Sequence, residues 1–197
     1  GNEVSVTWRA RLSEHLGFFT LELVRPRAAR ILHDPIRLSA LTSATEILDA
    51  ALPEREPYNR TYANLCQMLD SIDNNNPEWL VDYVQWEFML LSELGFAPDI
   101  SLIDESAEDW AISIHSGGIV RPKNDGSTLN LPRVLVGKDL SDEVSVRRKE
   151  LIDAFKLTGN FLGRAVPDSR ILSARNRLLS RILPKEIESE KLVVSND

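Results

Sequence analysis

The sequence predicts an α+β protein that is mainly helical. Three observations support this: two alternating stretches begin the chain, three amphipathic stretches of helical period follow, and a short alternating stretch around a glycine pair precedes two further helices. With 197 residues, 43% of them hydrophobic, the chain can bury a core in one or two domains. No apolar run approaches the roughly 20 residues that span a bilayer, so we expect no membrane partner. The single cysteine, Cys66, fits the reducing cytosol, where we expect the protein to be.

The first two alternating stretches predict a β-hairpin. Residues 4–12 alternate apolar and polar side chains, as in a half-buried strand, and residues 18–24 do so again after a turn. Because a lone hairpin is marginal in water, we expect these strands to belong to a larger sheet that begins before Gly1.

Three helices are predicted next, over residues 36–51, 58–72 and 76–95. The last has the clearest ends, with Asn76 as N-cap, Pro77 in the first position and Gly95 at the stop. Short connections favour an antiparallel bundle. Apolar side chains at helical spacing should face the core, and four acidic side chains of the third helix should face solvent. The inward set includes Leu41, Ile47, Tyr62, Leu65, Cys66, Leu69, Ile72, Tyr83, Val84 and Leu91; the acidic set is Glu78, Asp82, Glu87 and Glu93.

The second half of the chain predicts a small hairpin followed by two helices and a charged tail. The predicted segments are an acidic loop after Phe96, a hairpin over 110–121 that turns at Gly117-Gly118, a polar mobile stretch over 121–130, a long helix over 141–166, a basic helix from the cap Asp168 to about Leu183, and a disordered tail over 186–197.

No motif in the sequence indicates catalysis. The three histidines lie far apart, and the chain has neither a nucleophile elbow nor a phosphate loop. The acidic and amide run at 70–76 lacks the glycine and terminal glutamate of a calcium loop. With one cysteine, Cys66, neither an intramolecular disulfide nor a cysteine-rich zinc site can form. We predict no catalytic residues, no cofactor and no enzyme activity.

The charges are unevenly distributed along the chain. The total is −7, but residues 1–37 carry +2, residues 38–110 carry −13, residues 111–183 carry +6 and residues 184–197 carry −2. Such a molecule could hold a polyanion on its basic parts while its acidic part meets another partner, and solvated helix charges paired with nearby acids explain the pattern as well. The predicted DNA contacts are Arg9, Arg11, Arg25, Arg27, Arg30, Arg121, Lys123, Arg133, Arg147, Arg148 and Arg175.

Three stretches resemble a known family. They are LPEREPYNRTYANLCQML, WLVDYVQWEFMLLSELGFAPDIS and LTGNFLGRAV, and together they are similar to the RecO family of DNA repair and recombination mediators, in its alphaproteobacterial form. The resemblance covers nearly the whole chain in order. It implies that residues 1–25 are the last two strands of an OB-type barrel, most of which precedes Gly1. Residues 26–185 would then be a helical domain with a zinc-finger-like insert at about 97–128.

The resemblance also implies a function. Members of the family bind single- and double-stranded DNA, anneal single strands, and with RecR help to load RecA onto DNA covered by single-strand-binding protein, whose acidic C-terminal tail they bind. They are bacterial, cytoplasmic and not enzymes. The alternative is a protein-interaction scaffold that acts through its acidic helical face and binds little DNA.

One departure from the family concerns zinc. Where many relatives have zinc-binding cysteines, in and after PDISLIDESAEDW, this chain has none, and Ile103 stands near the first expected position. We therefore expect an insert without zinc, held by apolar contacts from Ile103, Trp110, Ile112 and Ile114.

Overall fold

The structure, a computed structural model, describes residues 1–12, 16–98, 100, 103, 110–136, 144–166 and 169–183. It has the predicted mainly helical α+β fold. In chain order the elements are β1 (Glu3–Arg9), β2 (Phe18–Arg25), α1 (Arg27–Arg30), α2 (Pro35–Ala51), α3 (Asn59–Asp73), α4 (Trp79–Glu93), β3 (Ala111–Ser113), β4 (Ile119–Val120), β5 (Thr128–Asn130), a 3₁₀ helix (Arg133–Val136), α5 (Val144–Ala165) and α6 (Ser169–Ile182).

Strands β1 and β2 form the predicted antiparallel hairpin. Val4, Val6 and Trp8 pair with Leu23, Leu21 and Phe19, so one face of the hairpin is apolar throughout. We call these six residues the apolar hairpin face. The prediction of half-buried strands is wrong for this chain, because each of the six side chains is between 41% and 64% exposed. Alternation fixes which residues share a face, but burial needs a second layer of structure over that face.

Helix α4 lies at the centre of the bundle. It packs against α3 and α5, while α2 packs against α6. Tyr83, Val84, Trp86, Phe88, Leu90 and Leu91 are all buried, so α4 is covered on several sides, as its wide apolar surface predicts. Tyr62 is the exception among the residues predicted to face inward: it is 65% exposed on α3.

The helix ends follow local signals with one difference. Asp34 caps α2 through hydrogen bonds from the backbone N–H groups of Ile36 and Arg37, at 3.0 and 3.1 Å. Gly95 has a φ of +80° and ends α4 as predicted. The beginning of α4 lies further along the chain than predicted. Asn76 accepts a hydrogen bond from the N–H of Glu78, at 3.0 Å, but helical structure starts only at Trp79.

The predicted hairpin after the acidic loop is part of a three-stranded sheet. Strand β3 pairs with β4 on one side and with β5 on the other. The prediction of a mobile stretch over 121–130 is therefore wrong at its end, where β5 joins the sheet. Ile112 is buried in the core, and Ile103 and Trp110 pack against it, which confirms three of the four predicted apolar contacts of the insert.

Several predicted features lie outside the described residues. They are the tip of the first hairpin at 13–15, most of the acidic loop at 99–109, the Asp168 cap and the tail at 184–197. In the part of the chain that the structure describes, no helix is long and apolar enough to cross a membrane.

Candidate nucleic-acid interface

The arginines of the two hairpin strands lie at opposite ends of the hairpin. Arg9 is the last residue of β1 and pairs with Phe18, whereas Arg25 is the last residue of β2 and pairs with Glu3. Six residue steps of about 3.3 Å place these ends about 20 Å apart. Arg11 lies beyond the end of β1, so the strand face predicted to hold it with Arg9 ends before it. Arg9 and Arg11 are exposed, and no carboxylate of the described residues forms an ion pair with them.

A cluster of two arginines and two carboxylates joins the hairpin to the bundle. Arg25 Nη1 and Arg27 Nη2 both donate to the same oxygen, Oδ1 of Asp70 on α3, at 2.5 and 2.6 Å. Glu3 Oε2 lies 3.2 Å from Arg27 Nη2 and 3.9 Å from Arg25 Nε. The hydrogen bond from Arg27 lowers the pKa of Asp70 below its ordinary value, because it favours the charged carboxylate. We call these four residues the hinge cluster.

Two of the predicted DNA contacts are buried. Arg27 is 5% exposed and occupied by the hinge cluster, and Arg175 is 3% exposed. Arg175 donates from Nε and Nη2 to the two carboxylate oxygens of Glu87, at 2.8 and 2.9 Å, and from Nη2 to the carbonyl of Phe155 and the hydroxyl of Thr158. A phosphate cannot reach either guanidinium without local opening, so we remove both residues from the predicted interface.

Some of the remaining predicted contacts interact with other side chains of the fold. Arg30 Nε lies 3.0 Å from Asp73 Oδ1, and Arg147 forms an ion pair with Glu78. The guanidinium of Arg121 lies over the ring of Trp110, 4.6 Å from its centroid. Lys123, Arg133 and Arg148 are exposed. The exposed cations of the predicted set are therefore Arg9, Arg11, Arg30, Arg121, Lys123, Arg133 and Arg148, whereas Arg25 and Arg147 are half-buried.

The acidic side chains of α4 do not form the solvent face that we predicted. Glu87 is fully buried and pairs with Arg175. Asp82 accepts hydrogen bonds from Ser71 and Asn76, and Glu93 accepts one from Thr61. Most of these carboxylates therefore hold α4 to its neighbours, which weakens the interpretation of α4 as an acidic docking surface.

Two grooves on the protein are lined in part by arginines. One has a volume of about 400 Å³ and lies between residues 1–4 and helices α2 and α3, with Arg27 in its lining. The other, of about 260 Å³, lies between α2 and α6 and combines Leu38 and Ala174 with Arg177 and Arg181. Arg181 Nη1 donates to the carbonyl of Pro35 and to Ser39 Oγ, at 2.6 and 2.8 Å, whereas Arg177 Nη2 lies 3.7 Å from Glu46 Oε1.

Metal binding finds no support among the described residues, because no three His, Cys, Asp or Glu side chains there lie together. The acidic loop of the insert is mostly outside those residues, so the absence of zinc stays a prediction. Its test is elemental analysis of the purified protein, in which stoichiometric zinc would contradict us.

Sequence reasoning missed the part played by Asp70. It belongs to the acidic and amide run at 70–76, which was predicted to be a helix end and loop, and that prediction is confirmed. Its partners Arg25 and Arg27 lie 45 and 43 positions away, so no local spacing connects them.

Comparison with known proteins identifies the family. The family model "Recombination protein O C terminal" matches residues 32–102. A "DNA repair protein RecO" from Rhodospirillum centenum is 36% identical over 194 residues, which cover 92% of this chain and 74% of the relative. The chain belongs to the RecO family.

Other RecO proteins agree with this assignment. One from Cereibacter sphaeroides is 35% identical over 83% of this chain and 68% of its own length, and one from Nitrobacter hamburgensis is 36% identical over 86% and 69%. The comparison with solved structures found no match. Membership of the RecO family supports a function in DNA repair and recombination.

Proposed function

We propose that this RecO-family chain is a DNA-binding recombination mediator without catalytic activity. It binds single-stranded DNA through phosphates, promotes annealing of complementary strands, and with RecR helps to load RecA onto DNA covered by single-strand-binding protein. The observation that carries the proposal is the pair Arg9 and Arg11, two exposed cations on a hairpin of a RecO-family chain, with no described carboxylate beside them. Such cations bind the phosphate backbone without reading its sequence.

The test is the salt dependence of binding to single-stranded DNA. Each phosphate contact contributes about 0.7 to the slope of log affinity against log salt, so reversing the charge of Arg9 and Arg11 together should reduce the slope by about 1.4. Arg55→Glu with Arg60→Glu changes the net charge equally, at exposed positions outside the predicted interface. Equal reductions of the salt slope in the two double variants would contradict the proposal. A wild-type affinity that does not depend on salt concentration would also contradict it.

The groove between α2 and α6 is our candidate for the tail of single-strand-binding protein. The resemblance gives that tail acidic and apolar side chains, and the groove combines two arginines with apolar Leu38 and buried Ala174. Arg177 is the better anion partner because its contact with Glu46 is long. Arg177→Glu should abolish binding of a tail peptide, whereas Arg60→Glu on α3 should not. Retained binding in Arg177→Glu would exclude this groove.

The scaffold alternative predicts another result. A chain that works through protein contacts alone would retain RecR and single-strand-binding protein in a pull-down while binding DNA weakly. Measuring both activities on the same preparation separates the two functions, because our proposal requires the DNA binding as well.

A further inference from the structure

We propose that the outer side of helix α5 binds a second nucleic-acid strand while the hairpin holds the first, so that one chain carries both strands that it anneals. The binding surface consists of the exposed cations of this helix, Arg148, Lys149, Lys156 and Arg164, which we call the α5 basic face. The inference rests on the proposed function, which supplies the first strand and the annealing activity.

The charged side chains of α5 are distributed unequally between solvent and the fold. The four cations of the α5 basic face are exposed, whereas the two acids of the helix, Glu150 and Asp153, are half-buried. Glu150 Oε2 accepts a hydrogen bond from the backbone N–H of Arg133, at 2.6 Å, so this carboxylate is engaged with the 3₁₀ helix. A helix surface that serves only solvation carries charges of both signs. The outer side of α5 is therefore basic in a protein whose net charge is −7.

The spacing of the cations suits an extended anion. Lys149 and Lys156 are seven residues apart, which is two turns and about 10 Å along the helix axis, and Arg164 lies about 12 Å beyond Lys156. The Arg164 guanidinium donates to the carbonyl of Ile114, just after β3, so it lies beside the three-stranded sheet. The other side of α5 is buried in the core. A single small anion cannot contact cations so far apart, whereas a phosphate backbone can.

A strand can compete for these cations although some of them have partners. Arg148 and Lys156 also interact with other groups of the chain. Interactions between exposed charges are weak in water, whereas each phosphate contact releases condensed counterions from the nucleic acid. Because the surface offers charges at intervals and reads no base, it fits a strand of any sequence.

The α5 basic face and the hairpin belong to different parts of the fold. The hairpin is joined to α3 through Arg25 and Asp70, and α4 packs against both α3 and α5. With neighbouring helix axes about 8–10 Å apart, the axes of α3 and α5 are separated by as much as about 16–20 Å. Two strands can therefore bind the same chain with protein between their phosphates. Their unbound portions are then at a high effective concentration relative to each other, which speeds annealing.

The first measurement counts the bound strands. The chain is mixed with excess oligothymidylate of about eight nucleotides, within the usual site sizes of single-strand binding surfaces, and native mass spectrometry gives the copies bound per chain. The wild type should bind two copies, and Lys149→Gln with Lys156→Gln should bind one. The control, Arg55→Gln with Arg60→Gln, removes the same charge at exposed positions and should bind two. One copy on the wild type, or two on the α5 variant, would overturn the proposal.

The second measurement distinguishes a second strand site from an extension of the first. Fluorescence follows the annealing of two complementary labelled oligonucleotides. The α5 variant should anneal about tenfold more slowly, while its affinity for one short strand should change by less than about twofold, because only the simultaneous binding of two strands is lost. Lys149→Arg with Lys156→Arg keeps both charges and should anneal at the wild-type rate. Equal losses of affinity and annealing rate in the glutamine variant would indicate one continuous surface and refute the second site.

Loss of the fold is checked on the same variants. Both lysines are exposed, and glutamine forms helices about as well as lysine, so the thermal midpoint should equal that of the wild type.

Failure of the proposed function gives a different result. If Arg9→Gln with Arg11→Gln retains two copies while the α5 variant loses one, the assignment of the hairpin is wrong and the α5 basic face is supported. A single copy that only the hairpin variant loses supports the proposed function and overturns this inference. A wild type that binds no copy overturns both.

Discussion

At the scale of single residues, the structure depends on a buried ion pair that the sequence does not reveal. Glu87 and Arg175 are 88 positions apart, and each was predicted to be exposed. Glu87 interrupts an almost continuous apolar surface, and on a helix covered from several sides such a position is buried with its neighbours. Periodicity cannot distinguish a carboxylate that faces water from one that faces an arginine of a distant helix.

Replacing one member of the Glu87–Arg175 pair should lower the stability of the protein. Glu87→Gln leaves the Arg175 guanidinium buried and uncompensated, and we expect the free energy of unfolding to fall by about 3–5 kcal/mol, measured by urea denaturation. Glu93→Gln, on the exposed part of the same helix, should cost less than about 1 kcal/mol. Replacing both partners, as Glu87→Leu with Arg175→Met, should restore part of the loss. Equal costs for Glu87→Gln and Glu93→Gln would contradict this account.

At the scale of elements, the sequence predicts best where the signal is local. The positions of the bundle helices and the first hairpin follow from periodicity. The start of α2 after Asp34 follows from side-chain capping, and the stop of α4 at Gly95 follows from backbone freedom. Strand β5 could not be predicted in this way. It has three residues, and it is ordered by hydrogen bonds to β3 that form only after the chain has turned back. The start of α4 shows that a capping residue can orient a turn before the helix begins.

Replacing either of two glycines by alanine tests the local signals, because we expect one replacement to lower the stability of the protein and the other to raise it. Gly95 has a φ of +80° with open space around it, so Gly95→Ala meets only backbone strain and should lower stability by about 1 kcal/mol. Gly163 lies inside α5, and a Cβ there also meets open space. Gly163→Ala should therefore raise stability by up to about 1 kcal/mol. Thermal unfolding of the two variants beside the wild type checks both, and two shifts of the same sign would contradict the explanation.

At the scale of the whole molecule, the helical bundle and the first hairpin differ in how they bury apolar side chains and pair charges. The bundle encloses its apolar side chains and pairs many of its charges internally, whereas the hairpin exposes an apolar face and two arginines. The charge sums along the sequence indicated basic flanks around an acidic middle. They could not indicate that Arg27 and Arg175 are neutralised inside the fold, because that depends on which distant carboxylate each one meets.

The apolar hairpin face should control self-association of this chain. Its six side chains are contiguous, and contiguous exposed apolar surface associates in water, as does an open strand edge. Val6→Thr with Leu21→Thr places β-branched side chains suited to strands at both positions and makes the face more polar. We expect sedimentation velocity to show less association than in the wild type. The thermal midpoint of the helical signal should not change, because these residues lie outside the core.

The matched control removes isolated apolar side chains. Leu32, in the turn between α1 and α2, and Met89, on α4, are 69% and 44% exposed. Leu32→Thr with Met89→Thr therefore changes similar chemistry without altering a continuous surface. This control should associate as the wild type does. If it reduces association as much as the hairpin variant, association follows total exposed apolar area and not the hairpin. If the hairpin variant lowers the thermal midpoint, the face contributes to the stability of the bundle.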